Sequence, residues 1–200
     1  MYLVRHAESV GNAAEILQGQ RDYGLSSRGR MQASRLAERF SGIPLVAIYS
    51  SPLARARETA RLIARRPGLA VVEEPGLLER AFGAGEGLTR QELLRLFPEI
   101  VARKQREETA YYPGEESRDS FQRRVVDSIR AMVERHPDGD VLAVTHAGPI
   151  SAYCLAVLAM PFVRPVPFVL ENASVTVVEH RDGVATIETM NDTCQLRGLA

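Results

Sequence analysis

The stretch Tyr2-Leu3-Val4-Arg5-His6-Ala7-Glu8-Ser9 decides the fold, because three apolar residues run directly into an arginine and a histidine. A buried charge is costly unless it is paired. We therefore expect a core strand over residues 2–5 whose basic pair lies at its C-terminal end, the edge at which open α/β sheets bind ligands. A second stretch of this form is Val141-Leu142-Ala143-Val144-Thr145-His146-Ala147-Gly148. We predict that His6 and His146 lie side by side and face one anionic group.

Segments of strand character alternate with segments of helical spacing along the whole chain. Strands are predicted over residues 2–5, 45–49, 69–72, 141–145, 174–179 and 184–190. Helices are predicted after Ser26 or Ser27, with Pro52 in the first turn, after Thr89, over 99–108, after Ser117 and over 148–158. This alternation implies a mainly parallel sheet with helices on both faces. The expected fold is a three-layer α/β/α sandwich.

The length of 200 residues is typical of one domain with a substantial core, so we expect a single domain over residues 1–200. Within it, residues 75–117 combine a glycine-rich part with a charged part that contains two tyrosines. We interpret this segment as a lid or insertion. Pro67-Gly68 is expected to end the second helix.

Composition excludes several classes of protein. Hydrophobic residues make up 45% and charged residues 25%, and the formal net charge is zero. These values indicate a soluble cytoplasmic protein without nucleic-acid or membrane partners. No signal peptide is expected, and the longest apolar stretch, residues 150–163, is too short to span a membrane. Two cysteines without a Cys/His cluster indicate no zinc site.

Four positions are candidates for chemistry, and each also has a purely structural interpretation. In the structural interpretation, Arg5-His6 is a solvated strand end, and His146 is a core histidine whose ring nitrogens are hydrogen-bonded. Arg55 lies in the first turns of a helix, where a cation is unfavourable unless it shares an anion with the helix terminus. The alternative interpretation is that Arg55 and Arg57 belong to an exposed charged face and pair with Glu58 or Glu38. For Arg57 this alternative is favoured. Glu79 precedes the glycine-rich segment and is a candidate proton donor. Other carboxylates compete with it for that role, namely Glu73, Glu86 and Glu92.

Taken in order, these stretches resemble the histidine phosphatase superfamily, also called the phosphoglycerate-mutase-like family, over nearly the whole chain. Arg5-His6-Ala7-Glu8-Ser9 is similar to its Arg-His-Gly-Glu-Thr signature, and Thr145-His146-Ala147-Gly148 is similar to its second histidine motif. The intervening matches are Asn12, Gln18-Gly19, Asp22, Leu25-Ser26-Ser27-Arg28-Gly29, Ser50-Ser51-Pro52-Leu53 through Arg55, Glu79 before Phe82-Gly83, and Gly114-Glu115-Glu116-Ser117. Ala7 and Gly85 depart from the pattern, and the missing aromatic at Gly85 is expected to widen the site.

The resemblance implies a role for each matching residue. His6 would be the nucleophile that forms a phosphohistidine, and Glu79 would protonate the leaving oxygen and then activate water. Arg5, Arg55 and His146 would surround the phosphoryl oxygens in place of a metal or another cofactor. The remaining residues assigned to substrate binding are Asn12, Gln18, Gly19, Arg80 and Ala147.

The function that follows is a phosphomonoester phosphatase acting on a small phosphorylated metabolite. The alternatives are a phosphoglycerate mutase, a phosphate- or phosphopeptide-binding module without turnover, and a metal site built from His6, Glu79 and His146. Two nearby arginines disfavour the metal site because they would repel a divalent cation. Exposed apolar positions around residues 150–169 suggest a homodimer. The sequence does not identify the substrate.

Overall fold

The computed structural model describes residues 1–65, 69–162 and 166–199. The strands are β1 (Tyr2–Arg5), β2 (Ile16–Leu17), β3 (Leu45–Ser50), β4 (Val71–Glu73), β5 (Leu88–Thr89), β6 (Asp140–Thr145), β7 (Val175–Arg181) and β8 (Val184–Asp192). The helices are α1 (Val10–Ala13), α2 (Ser27–Phe40), α3 (Ala54–Ile63), α4 (Arg90–Leu96), α5 (Pro98–Gln105), α6 (Arg118–Arg135) and α7 (Ala147–Val157). The predicted helix stop at Pro67-Gly68 lies outside the described residues.

Strand β1 lies inside a six-stranded sheet of order β4-β3-β6-β1-β7-β8. The four strands β4, β3, β6 and β1 are parallel, and β7 and β8 form an antiparallel hairpin beside β1. The prediction of a mainly parallel sheet is therefore confirmed. The register pairs Arg5 with Thr145, so His6 and His146 emerge from neighbouring strands at the same level.

Successive residues of the central strands face opposite sides of the sheet, as the two-residue period of a strand requires. Leu3 belongs to the buried cluster that includes the apolar faces of α6 and α7, whereas Val4 belongs to the cluster that includes α2 and α3. Burying one such side chain fully stabilises a fold by about 1.5–3 kcal/mol. Both faces of the sheet are thus covered, which confirms the three-layer α/β/α prediction.

Side-chain caps fix the starts of the main helices. Ser26 accepts a hydrogen bond from the Gly29 N–H at the start of α2, and Ser117 accepts one from the Ser120 N–H at the start of α6. The prediction for Pro52 was wrong, because α3 begins at Ala54 after an extended Leu53. The most apolar helix, α7, has 11 residues, and within the described ranges no helix is long and apolar enough to cross a membrane.

A second, two-stranded sheet was not anticipated from the sequence. It pairs β2 with β5, with Ile16 opposite Thr89 and Leu17 opposite Leu88. Strands of two residues show no periodicity, so pattern analysis treats both segments as loops. This small sheet connects the segment that follows His6 to the segment that follows Glu79, and it lies beside the site described next.

Candidate active site

The two strand-end histidines meet in the interior. The His6 N–H donates to the Thr145 carbonyl at 2.8 Å, which extends the β1–β6 pairing by one residue. The ring centroids of His6 and His146 are 5.0 Å apart with an interplanar angle of 62°. Only 3% of the surface of His6 is exposed, and His146 is completely buried. The first prediction, that these two residues lie side by side, agrees with this geometry.

The hydrogen bonding of His6 determines its tautomer. Its Nδ1 lies 2.7 Å from the carbonyl oxygen of Ala7. Because a carbonyl oxygen only accepts, Nδ1 carries the proton, and in the neutral ring Nε2 keeps its lone pair. Burial lowers the pKa of His6 well below its usual value, and the charges of Arg55 and Arg5 lower it further. His6 is therefore a neutral imidazole with an available nitrogen at physiological pH.

Arg55 is a buried cation at the centre of the site. It enters from the first turn of α3 with 1% of its surface exposed. Its terminal nitrogens donate to the carbonyls of Gly19 at 2.7 Å and Arg21 at 2.9 Å. Burial lowers the pKa of Arg55 to about 10, so the guanidinium stays charged at neutral pH. The sequence left two readings open, and the exposed charged face is excluded by this burial.

His146 orients Arg55. The Nε of Arg55 donates to Nδ1 of His146 at 3.2 Å, and Nε2 of His146 lies 2.8 Å from Ser51 Oγ. Since Nδ1 accepts, the proton of the neutral ring lies on Nε2, which donates to the hydroxyl. Burial and then Arg55 lower the pKa of His146 well below its usual value. Ser51 belongs to the Ser50-Ser51-Pro52-Leu53 motif, but its contact with His146 was not predicted.

Arg5 provides a second cation with unused donors. Its side chain donates to the Leu170 carbonyl, while its Nε is shielded from solvent and has no partner among the described residues. Burial lowers the pKa of Arg5, and the nearby carboxylates Glu79 and Glu171 oppose that effect. A buried donor without an acceptor is unfavourable, so this nitrogen indicates a site for an anion.

Glu79 is fixed by two backbone N–H groups. Its carboxylate accepts from Arg80 N at 2.8 Å and from Gly148 N at 3.2 Å. A Cβ on Gly148 would lie 2.0 Å from Glu79 Oε1, so only glycine permits this approach. The Gly148 N–H, near the start of α7, thus binds the Glu79 carboxylate.

The competing carboxylates have other partners. Glu86 accepts from the N–H groups of Gln20 and Phe82 and so holds the glycine-rich loop. Glu92 completes the capping box of α4 with Thr89. Glu73 lies 3.5 Å from Arg57, which corrects the expectation that Glu58 or Glu38 pairs with that arginine. These contacts leave Glu79 as the carboxylate beside the histidines.

These side chains surround a cavity of about 200 Å³. Its wall contains eight of the ten predicted site residues, and His146 lies beneath it against Arg55 and His6. Arg80 is the exception, because it lines a larger neighbouring cavity. This cavity, the candidate catalytic cavity, is lined by Arg5, His6, Asn12, Ile16, Leu17, Gln18, Gly19, Arg55, Glu79, Phe82 and Ala147.

The orientation of Asn12 makes it a donor toward the cavity. Its Oδ1 accepts from Ser9 N at 3.1 Å and from Asn172 Nδ2 at 3.3 Å. These contacts use the oxygen, so the amide NH₂ group is the part available to a ligand. Gln18 is held by a contact of 2.7 Å between its Oε1 and Ser9 Oγ. Asn172 was missed in the sequence because no motif contains it.

The arrangement combines a neutral imidazole, one buried and one partly buried guanidinium group and a fixed carboxylate around a small cavity. Such a set can hold a tetrahedral anion, accept it on nitrogen and move a proton at its far side. Over the described part of the chain, no group of three or more His, Cys, Asp or Glu side chains is arranged to hold a metal ion.

Known proteins resemble the chain over nearly its full length. Residues 1–193 match the sequence pattern of the histidine phosphatase superfamily (branch 1). Phosphoserine phosphatase 1 from Hydrogenobacter thermophilus is 34% identical over 197 residues, 98% of this chain and 93% of that protein. Phosphoglycerate mutase-like protein 4 from Arabidopsis thaliana is 36% identical, covering 97% and 85%. The solved structure of YhfR from Bacillus stearothermophilus matches with a TM-score of 0.92 at 28% identity, covering 98% of each chain.

Proposed function

The chain belongs to branch 1 of the histidine phosphatase superfamily, and we propose that it is a phosphomonoester phosphatase that acts on a small phosphorylated metabolite. The observation that carries this proposal is a neutral His6, fixed through Nδ1 and flanked by the buried Arg55 and the partly buried Arg5. Its relatives include a protein named a phosphoserine phosphatase. The enzyme is therefore a phosphoric monoester hydrolase of the histidine type.

His6 is the nucleophile in this proposal. Its Nε2 attacks phosphorus, a P–N bond forms, and the P–O bond to the leaving alcohol breaks. Glu79 in its protonated form gives its proton to the departing oxygen. The resulting carboxylate then takes a proton from water, which attacks the phosphohistidine, releases inorganic phosphate and returns the electron pair to His6.

Positioned cations stabilise the transferring group. Arg5 and Arg55 face the three phosphoryl oxygens, and the NH₂ group of Asn12 adds a donor. His146 contributes by holding the guanidinium of Arg55 in place. Preorganised charges of this kind supply much of the catalysis in phosphoryl transfer, and removal of one such donor typically costs about 10²–10³ in rate. We propose that they make a metal ion unnecessary, so activity should survive dialysis against a strong chelator.

The phosphoenzyme is the direct test. Rapid mixing with a phosphomonoester should give an acid-labile, alkali-stable phosphoryl-protein within the first turnover, and His6→Ala should form none. His180→Ala is the matched control, because His180 lies on β7 and its ring is hydrogen-bonded to the Tyr153 hydroxyl. This variant should leave labelling unchanged. Substantial turnover by His6→Ala would disprove the assignment of the nucleophile.

The mutase alternative uses the same intermediate, and a relative named as mutase-like makes it the second candidate. The two are separated with 3-phosphoglycerate, by comparing the rate of isomerisation with the rate of phosphate release. A phosphatase releases phosphate faster than it isomerises the substrate. Fast isomerisation without phosphate release would replace the proposal by a mutase. A binding module without turnover would bind phosphate but would neither isomerise 3-phosphoglycerate nor release phosphate from it.

Other features of the protein are proposed from the sequence. They are a single domain over residues 1–200 with a lid around 75–117, a cytoplasmic location, a possible homodimer, and no nucleic-acid or membrane partner. The zero net charge supports the last of these. Sedimentation of the purified chain measures the oligomeric state.

A further inference from the structure

A second cavity of about 660 Å³ adjoins the catalytic cavity. The two share Leu17 and Phe82 in their walls, so a ligand whose phosphoryl group contacts His6 extends its other end past these side chains. Pockets that bury drug-sized ligands measure about 300–1,000 Å³. This volume exceeds what the three-carbon alcohol of a phosphoserine or phosphoglycerate requires.

One part of its wall is apolar and aromatic. This part consists of Leu17, Phe82, Leu93, Tyr112 and Val166. Tyr112 is 5% exposed and packs edge-on against Phe97 at 5.3 Å. A Cβ on Gly85 would lie 2.7 Å from the Tyr112 ring, so the glycine that departs from the family pattern makes room for this tyrosine. The wall therefore suits an apolar body.

The wall also carries three cations, of which two share a single carboxylate partner. Arg80 and Lys104 both contact the buried carboxylate of Glu115, at 2.7 and 2.8 Å. Glu116 is bound by Arg124. The wall also contains Glu107, which is exposed, so its charge is screened by water.

Arg118, the third cation, is left for a ligand. It is the first residue of α6, where the helix dipole disfavours a positive charge. Its Nε is shielded from solvent and has no hydrogen-bond partner in the described part of the chain. A shielded donor without an acceptor is unfavourable by itself, and a carboxylate placed in this cavity would satisfy it.

We infer that this cavity binds the leaving alcohol, that Arg118 is a specificity-determining residue, and that the preferred substrate is a phosphomonoester whose alcohol has an apolar or aromatic body ending in a carboxylate. This inference rests on the proposed phosphatase function and narrows its substrate class. The apolar wall holds the body, and Arg118 forms a charge-assisted hydrogen bond with the carboxylate.

The test compares 4-carboxyphenyl phosphate, phenyl phosphate and phosphoserine as substrates. The wild type should hydrolyse the carboxylated aryl ester with the highest kcat/KM. In Arg118→Gln, the ratio of kcat/KM for carboxyphenyl over phenyl phosphate should fall about tenfold to hundredfold, mostly through KM, as expected for loss of a hydrogen bond to a charged group. Comparing the ratio between variants cancels the intrinsic reactivity of the two esters.

Arg123→Gln is the matched control, because it removes the same charge from an exposed position of α6 outside this cavity; its ratio should equal that of the wild type. A second measurement uses the wild type alone, in which benzoate should inhibit competitively and benzyl alcohol should not at equal concentration. This measurement does not depend on the folding of a variant.

An unchanged ratio in a folded Arg118→Gln, equal inhibition by benzoate and benzyl alcohol, or a preference for phosphoserine over both aryl esters would overturn the inference while leaving the phosphatase intact. Failure of the wild type to release phosphate from any of the three esters, with no phosphoenzyme formed, would instead remove the proposed function.

Discussion

At the scale of single residues, Gly148 has a specific role in the site. Its missing side chain is what allows its N–H to hold Glu79, since a Cβ would lie 2.0 Å from the carboxylate oxygen. In the proposed mechanism Glu79 gives the leaving alcohol its proton. The position of this acid therefore depends on a glycine, which has no side chain that could take part in the reaction.

Gly148→Ala is expected to displace Glu79 and to lower kcat for an alkyl phosphate by about 10²-fold, within the range that a general acid contributes. Hydrolysis of 4-nitrophenyl phosphate should fall less, because its leaving group needs little protonation. Steady-state kinetics with both esters measures the difference. Gly42→Ala is the control, because a Cβ there meets no atom within 4 Å. Equal losses on both esters would contradict the role given to Gly148.

At the scale of elements, one buried carboxylate connects helix α5 to the segment that contains Glu79 and Arg80. The Glu115 side chain is completely buried and contacts Arg80, which follows Glu79, and Lys104 of α5. The carboxylate also accepts from the Tyr112 N–H at 2.7 Å. Two cations and a backbone donor compensate one buried anion, which is the condition under which burying a charge is tolerated.

Glu115→Gln should lower the free energy of unfolding by about 3 kcal/mol, near the lower end of the range for removing one partner of a buried ion pair, because a quarter of Lys104 stays exposed. Urea denaturation measures this change. Glu108→Gln removes an exposed carboxylate that pairs with Arg103 and Arg106, and its effect should be much smaller, because water screens exposed ion pairs. Similar effects in both variants would show that burial does not decide the strength of the Glu115 contacts.

How far the elements were predictable depends on their length. The start of α6 after Ser117 was predicted, because a cap uses the local conformation of a few residues. The β2–β5 sheet was missed since two-residue strands leave no pattern.

At the scale of the whole molecule, folding requires that two histidines be buried uncharged. Burial lowers the pKa of both His6 and His146 well below the ordinary value of 6.5. Above pH 6.5 both histidines are neutral in the folded and in the unfolded protein. Below pH 6.5 the histidines of the unfolded chain bind protons, whereas those of the folded chain stay neutral. The contribution of the neutral histidines to the free energy of unfolding is therefore complete above about pH 6.5 and is lost as the pH falls further.

The free energy of unfolding should therefore decrease below pH 6.5 with a slope of up to about 1.4 kcal/mol per pH unit for each buried histidine. Urea denaturation at a series of pH values between 7.5 and 5 gives the slope. His146→Gln should reduce it, because the variant removes one of the two buried histidines. Equal slopes in the wild type and His146→Gln would show that His146 is charged in the folded protein.

The sequence by itself determined the layered fold, and its motifs indicated most of the residues that line the candidate site. Alternation of apolar residues, helical spacing and cap residues are local signals, and they place Arg5, His6 and His146 at strand ends. Two parallel strands that both end in histidine bring those residues together, since parallel strands share one edge.

Only the tertiary structure decided which side chains contact one another across the chain. Glu79 meets Gly148 over a separation of 69 residues, and Arg80 meets Glu115 between two loops. These contacts have no period and no fixed spacing, because they depend on how the layers pack after the elements have formed. For the same reason the cavity beside Arg118, and with it the inferred choice of substrate, became visible only once the chain was folded.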